Sequence, residues 1–425
     1  MSGHGSNRWM NHVASPYGLA MLSYAFFLFA CLLPPSVYTS YVHEPDLMFL
    51  DPAVILFYSL CVAAFLFGVW LVDSGLPAKP ERPPATRSCT VIVLLLPIMV
   101  GIAATALSAW RLVATNPEIV LWLLTRQGAR LKSADAILIE STYLLPPLWL
   151  IGSVWYVFWR SLDLRIAGWR RRVVNLMLFA GVMTVAAAAV LTLSRNLLML
   201  VFSGLAISYL VRKTASGRLS LRFVLGAGAS MAVCVGLLFA GASFLRGGRV
   251  DDQVNALFGY TVASYNRLAA IVNGELRYPF AGRGVYLSSF VSFSHLLNRV
   301  VPVARTMNWP AFLDVWSSEF AAVAKAGLDG DLIWSGAFGY IFSDLGWFSP
   351  PLLMVHGMIS GVAWNWIRRG KMLGILIYPA LGFCVLFWIG TNFLFDVHIV
   401  VLWLVALLLV GYDRLFVVRE KASTP

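Results

Sequence analysis

The first chemistry this sequence offers is arginine without acidic company. Arg195 lies in LTLSRNLLML (191–200), with no acidic residue within ten positions on either side. Seven more arginines follow between residues 244 and 335, namely Arg246, Arg249, Arg267, Arg277, Arg283, Arg299 and Arg305, with Lys325 the single lysine of that stretch. A guanidinium presents a planar fork of donors, so a bias toward arginine suits bidentate recognition of phosphate. The GRG tripeptide around Arg283 lets backbone come close to a ligand. A second reading stands beside this one: Arg195 snorkels to lipid phosphate, and the other arginines are solvated and salt-bridged. Tyr260, Ser264 and Arg267, at i, i+4 and i+7, put hydroxyls and a cation on one helical face. Asp344, in WSGAFGYIFSDLGWFSP (334–350), lies eight residues into an apolar segment and shares a face with Tyr340 and Trp347. An ionised carboxylate about 12 Å along such a helix must face a cavity or a partner cation. It either meets a ligand or packs helices by pairing with an arginine. Asp396 and His398 echo it more faintly. The chain carries no P-loop, GxSxG, dinucleotide or metal-ligand motif.

The elements that must position these groups follow from composition. Of 425 residues, 59% are hydrophobic and 12% charged, with a mean hydropathy of +0.77. About a quarter of a soluble domain is charged. Half that share, combined with long apolar runs, predicts an all-α, polytopic integral membrane protein. Ten windows have spanning length, near 17–36, 52–72, 90–110, 141–159, 173–193, 196–211, 223–243, 336–366, 373–389 and 393–411. The first reads as an uncleaved span, since Arg8 is its only basic flank and it ends in Pro34-Pro35. The fifth and sixth share a tight turn. Cys31, Cys61, Cys89, Cys234 and Cys384 show no metal-type spacing and read as small apolar residues.

The net charge of +12 raises nucleic acid as a partner. The basic residues, however, flank apolar windows in short clusters, as topology signals do, and this excludes that reading. The N-terminus, 73–89, 160–172, 212–222, 367–372 and the tail hold 19 Lys and Arg, whereas the alternate short loops hold five. Lys and Arg mark the cytoplasmic side. Both termini are therefore expected in the cytoplasm, with Arg195 and Asp344 toward the outer face.

Residues 244–335 then form one outer, periplasmic loop, too long for a simple connector. The expected division is 1–243 with spans one to seven, 244–335 as the loop, and 336–425 with spans eight to ten and a cytoplasmic tail. Within the loop, NWPAFLDVWSSEFAAVAKAG has Asn308 as an N-cap, Pro310 in the first turn and Gly327 as a stop. Phe312, Trp316, Phe320 and Val323 recur at helical spacing, which predicts an amphipathic helix lying on the membrane. The stretch 258–273 behaves similarly.

With these residues in place, the chain resembles the Wzy-type polymerases of O-antigen and exopolysaccharide repeat units. The resemblance rests on the multi-span layout, the large late loop, LTLSRNLLML at a mid-chain outer turn and GAFGYIFSDLGW after the loop. The last is similar to an aromatic-x-x-Asp-aromatic-Gly pattern, with Ile341 and Leu345 where aromatics are common. The chain departs from some members in having no outer-loop arginine followed eleven positions later by glycine. The resemblance implies inverting glycosyl transfer at the periplasmic face of a bacterial inner membrane. A glycan leaves undecaprenyl pyrophosphate and is joined to a sugar hydroxyl of the next lipid-linked repeat unit. The pyrophosphate's developing charge needs fixed cations, which Arg195, Arg246, Arg249, Arg267 and Arg283 supply without a cofactor, with Tyr260 and Tyr340 contacting glycan. The acceptor hydroxyl needs a carboxylate to take or orient its proton; Asp344 is the first candidate and Glu319 the second. Expected partners are the lipid-linked oligosaccharide, membrane lipids, a chain-length regulator and a flippase. The alternatives are an O-antigen ligase acting on lipid A-core, for which His295 is the single loop histidine, and a polysaccharide or lipid transporter.

Overall fold

The computed structural model describes residues 13–73, 87–88, 90–125, 127, 141–163, 166, 168–192, 194–215, 257–259, 261–287, 302–310, 312–390 and 396–419, with isolated positions at 226, 236, 241, 244, 255 and 394. These residues form an α-helical protein. Its helices are α1 (Pro16–Cys31), α2 (Pro35–Val42), α3 (Pro52–Asp73), α4 (Val91–Thr115), α5 (Glu118–Leu124), α6 (Ser141–Asp163), α7 (Gly168–Leu191) and α8 (Arg195–Ala215). They continue with α9 (Val262–Val272), α10 (Val303–Thr306), α11 (Phe312–Lys325), α12 (Gly336–Leu345), α13 (Ser349–Arg368), α14 (Met372–Leu386) and α15 (Val397–Phe416). Among the described residues, five helices are long and apolar enough to cross a membrane, or six if α1 and α2 count as one bent span. The chain is a multi-pass membrane protein. The expected seventh span, 223–243, lies almost wholly outside the described residues.

Helix starts follow local chemistry. Ser15 accepts from the Gly18 N–H at 3.3 Å, Asp51 from Val54 at 2.8 Å, Thr90 from Val93 at 3.4 Å and Asp396 from His398 at 2.9 Å. Each satisfies an amide that the first helical turn leaves open. Two expected spans are not continuous. The window 17–36 breaks after Cys31, and α2 leaves at 95° with Pro35 in its first turn. Proline has no N–H to continue α1 but is pre-set to begin a helix. The window 336–366 breaks at Gly346, which adopts φ +56 and ψ −136, followed by a 3-10 turn at Gly346–Phe348. Only glycine adopts that backbone readily, and Pro350-Pro351 then open α13.

Helices α3 and α13 meet backbone to backbone. A Cβ on Gly68 would lie 2.0 Å from the Met354 carbonyl oxygen, and one on Gly357 2.0 Å from that of Phe65. Gly357 and Gly361 form a GxxxG spacing, which lets membrane helices meet backbone to backbone.

Side-chain pairs sort the loops to two ends of the bundle. At one end Arg160 is held by Asp413, Arg368 by Asp73 at 2.9 Å, and Arg212 by the Leu162 carbonyl at 3.3 Å. There Arg87–Ser88 (β1) pairs antiparallel with Val418–Arg419 (β2). At the other end the Leu47 N–H donates to Asn266 at 2.7 Å, Asn273 donates to Asp51 at 2.8 Å, and the Gly282 N–H donates to the Ser343 carbonyl at 3.0 Å. The basic end thus gathers loops that the Lys/Arg count groups together. Arg195 begins α8 at the opposite end from Arg212, about 25 Å along the helix axis.

Candidate functional site

At the end opposite the basic loops, the Arg267–Glu44 pair and Glu319 are buried and Asp344 is half-buried, and each is satisfied differently. Arg267 is fully buried on α9. Its Nη1 donates to Glu44 Oε1 at 3.0 Å and its Nη2 to Glu44 Oε2 at 2.8 Å, a bidentate pair. The same nitrogens reach the carbonyls of Ala263 and Asp329, each at 2.9 Å. Glu44 also accepts from the Tyr38 hydroxyl, from Asn266 Nδ2 at 3.0 Å and from the Asp329 N–H at 2.8 Å. This network ties the segment after α2 to α9 and to the turn before α12.

Two expectations are corrected here. The helix 258–273 does not lie on the membrane surface: Val262 through Ile271 are all buried, packed against α1, α3 and α12. Arg267 does not face a ligand, because Glu44 already occupies its fork. Ser264 is buried beside it, and Tyr260 lies outside the described residues.

Asp344 closes α12, and among the described residues its carboxylate is met by backbone amides and by no arginine. Its Oδ1 accepts from the N–H groups of Gly282 and Gly284, both at 3.0 Å. Its Oδ2 accepts from Tyr286 at 2.8 Å and Leu287 at 2.9 Å. Four amide donors on two oxygens complement an ionised carboxylate. The turn can aim its amides inward because Gly282 and Gly284 take φ +80 and +74. Arg283 sits between those glycines, exposed. Its guanidinium lies 5.7 Å from the Phe280 ring centre and its carbonyl accepts from Trp309 Nε1 at 3.1 Å. Asp344 therefore presents Arg283. Trp347 does not share the Asp344 face as a helical residue, since α12 stops at Leu345.

Glu319 is the least satisfied of the three. It is 6% exposed, and burial pushes its carboxyl up to about 8, which the Tyr340 hydrogen bond only partly opposes. That bond, from the Tyr340 hydroxyl to Oε2, is 3.4 Å long. Tyr340 stacks on Tyr278 at 5.7 Å between ring centres, and Tyr286 lies 5.8 Å from Tyr340 and 5.4 Å from Tyr278. Tyr278 donates to the Ile333 carbonyl at 2.6 Å. The structure thus brings Glu319, Tyr340, Asp344 and Arg283 into one continuous set of contacts, through the 281–287 turn and Tyr286.

α11 forms close to the expected helix and stops before Gly327, which has φ +77. Asn308 is not its cap: it adopts φ +50, and the helix begins at Phe312. The buried stripe runs Val315, Glu319, Val323, with Trp316 and Phe320 half-buried at its edge. Tyr278 and Tyr286 escape sequence reasoning altogether, although Glu319 interrupting an i, i+4 apolar stripe is a visible signal. Asp396 is an N-cap that also contacts His398 Nδ1 at 2.5 Å. Arg277 and Arg305 are exposed. Arg246, Arg249, His295 and Arg299 lie outside the described residues, as does the side chain of Arg195. Compared with protein-family models, curated proteins and solved structures, the chain matches none.

Proposed function

We propose that this protein is a glycosyl transferase that polymerises undecaprenyl-pyrophosphate-linked repeat units at the outer face of a bacterial inner membrane, with both termini in the cytoplasm. The observation that carries the reading is Glu319, a buried carboxyl whose proton affinity lies near neutral pH, set in a tyrosine cluster whose Tyr286 belongs to the same turn as the exposed Arg283. A general base works best when its pKa lies near the working pH. In this reading the acceptor sugar hydroxyl attacks the anomeric carbon of the donor glycan from the face opposite the pyrophosphate. The new C–O bond forms as the bond to pyrophosphate oxygen breaks. The hydroxyl proton passes to the Glu319 carboxylate, and Arg283 holds the charge that develops on the leaving phosphate. Asp344 acts as a positioning residue for Arg283, and Trp309 and Phe280 offer aromatic faces to sugar.

The partition of Lys and Arg supports the assignment of sides, and the sequence resemblance supports the substrate class. Deleting the gene and resolving surface glycan on a gel tests the activity and its substrate class. Loss of polymer with single repeat units retained supports the polymerase reading. Loss of all attached glycan identifies a ligase, and an unchanged ladder overturns glycan transfer.

A further inference from the structure

A second feature lies at the basic end, on the membrane-facing wall away from Glu319. A groove of about 480 Å³ runs along α13, flanked by Val72 of α3 and Ile377 of α14. Its floor is one helical stripe: Val355, Ile359, Val362 and Trp366 recur at i, i+4, i+7 and i+11. Val355 and Ile359 are 46% and 39% exposed, so the groove opens toward lipid. From Val355 to Trp366 the helix rises about 16 Å, close to half of a hydrocarbon core ~30 Å thick.

The stripe continues at i+14 into Arg369, which still holds a helical N–H bond to the Asn365 carbonyl at 3.2 Å. Lys371, exposed, caps the start of α14, whose Ile377 lines the adjacent wall. Arg368 is neutralised by Asp73 at 2.9 Å, leaving, among the described residues, Arg369 and Lys371 as the net charge at the mouth. A single-leaflet apolar slot ending in two cations matches a lipid chain with an anionic headgroup.

We propose that this groove is a specific site for one anionic phospholipid of the leaflet at the basic end. One chain lies along the α13 stripe, and the phosphate is held by Arg369 and Lys371. The site stands whether or not glycan transfer does.

The test uses the full-length protein, delipidated in mild detergent and then offered phosphatidylglycerol or phosphatidylcholine of equal chain length, with retained lipid read by native mass spectrometry. Phosphatidylglycerol should be retained about thirtyfold better, ~2 kcal/mol at about 1.4 kcal/mol per decade, as two surface cations would supply. The double variant Arg369→Gln/Lys371→Gln should reduce it to the phosphatidylcholine level. Met358→Trp, at another lining position, should cut retention of both lipids. If that variant melts early, Ile359→Cys alkylated with a bulky maleimide after purification blocks the groove in folded protein and should do the same. Equal retention of the two lipids overturns the proposal, as does undiminished retention after blocking. Displacement of phosphatidylglycerol by equimolar polyprenyl phosphate overturns it in favour of an isoprenoid site. A disulfide crosslink between Ile359→Cys and a cysteine placed within 223–243 overturns it in favour of the chain covering its own groove.

Discussion

Replacing Asp344 by asparagine separates a carboxylate that does chemistry from one that builds a turn. The carboxamide keeps one acceptor oxygen, enough for two of the four amides that Asp344 now holds. The other two N–H groups then face an NH2 donor. A hydrogen bond to a charged group contributes about 1.5–3 kcal/mol. Because Asp344 is only half-buried, the lower figure applies, and losing two bonds costs the turn about 3 kcal/mol. At about 1.4 kcal/mol per decade, the turn opens roughly a hundredfold more often. Hydrogen exchange read by mass spectrometry on the peptide covering 281–287 should show that loss of protection, while peptides from α3 and α13 exchange as before. Asp344→Ala, which removes all four acceptor contacts, should show more. Chain extension falls in this account only as far as Arg283 loses its place. An Asn variant whose turn amides exchange as in the parent, but whose chain extension drops by about 10²–10⁴-fold, the range of a lost general base, would refute the reasoning.

Four further outcomes are expected. Chain extension should rise with pH through about 8 as Glu319 ionises. Stability should fall over the same climb, because the folded state holds a proton that the unfolded chain releases near 4.5; Glu319→Gln should flatten both curves, measured as product length and detergent melting between pH 5 and 9. Arg267→Ala should cost about 3–5 kcal/mol by stranding Glu44, seen as lost membrane yield, while Arg267→Met with Glu44→Leu should recover much of it. Gly357→Leu should prevent stable insertion, since its Cβ would meet the Phe65 carbonyl at 2.0 Å, whereas Gly411→Ala, with nothing within 4 Å, should melt as the parent does. A reporter fused at Gly217 should be cytoplasmic and one inserted at Gly274 periplasmic; the reverse pattern overturns the proposed sides.

What the sequence made legible was whatever depends on neighbours within a few turns. Apolar run length located α3, α4, α7, α8 and α15, and Gly327 marked the end of α11. The breaks at Pro34-Pro35 and Gly346 were written in residue types, but an apolar window averages over them. The pairs that organise the end opposite the basic loops are another matter. Glu44 meets Arg267 across 223 positions, and Asp344 meets its amides across 57 to 62. No periodicity reaches that far, so a charge in an apolar chain announced only that a partner exists. For Asp344 the partner was not a side chain at all, since backbone N–H groups have no letter in a sequence.

The same physics ranks the candidates more sharply than residue type does. A buried charge is expensive until every donor or acceptor it carries is met. Arg267 spends four hydrogen bonds on Glu44 and two carbonyls, with Nε its one unmet donor among the described residues, and Asp344 accepts four amides; both are committed to holding the fold, and a ligand would have to displace that fold to reach them. Glu319 has one long bond to Tyr340 among the described residues, and it tolerates burial by keeping its proton near neutral pH. A group that has met its burial cost by protonation, with acceptor capacity to spare, exchanges that proton without dismantling any network. In the proposed reading the reactive carboxyl is therefore the one whose local sequence looked most like an ordinary amphipathic helix, and the conspicuous Asp344 holds the turn that carries Arg283.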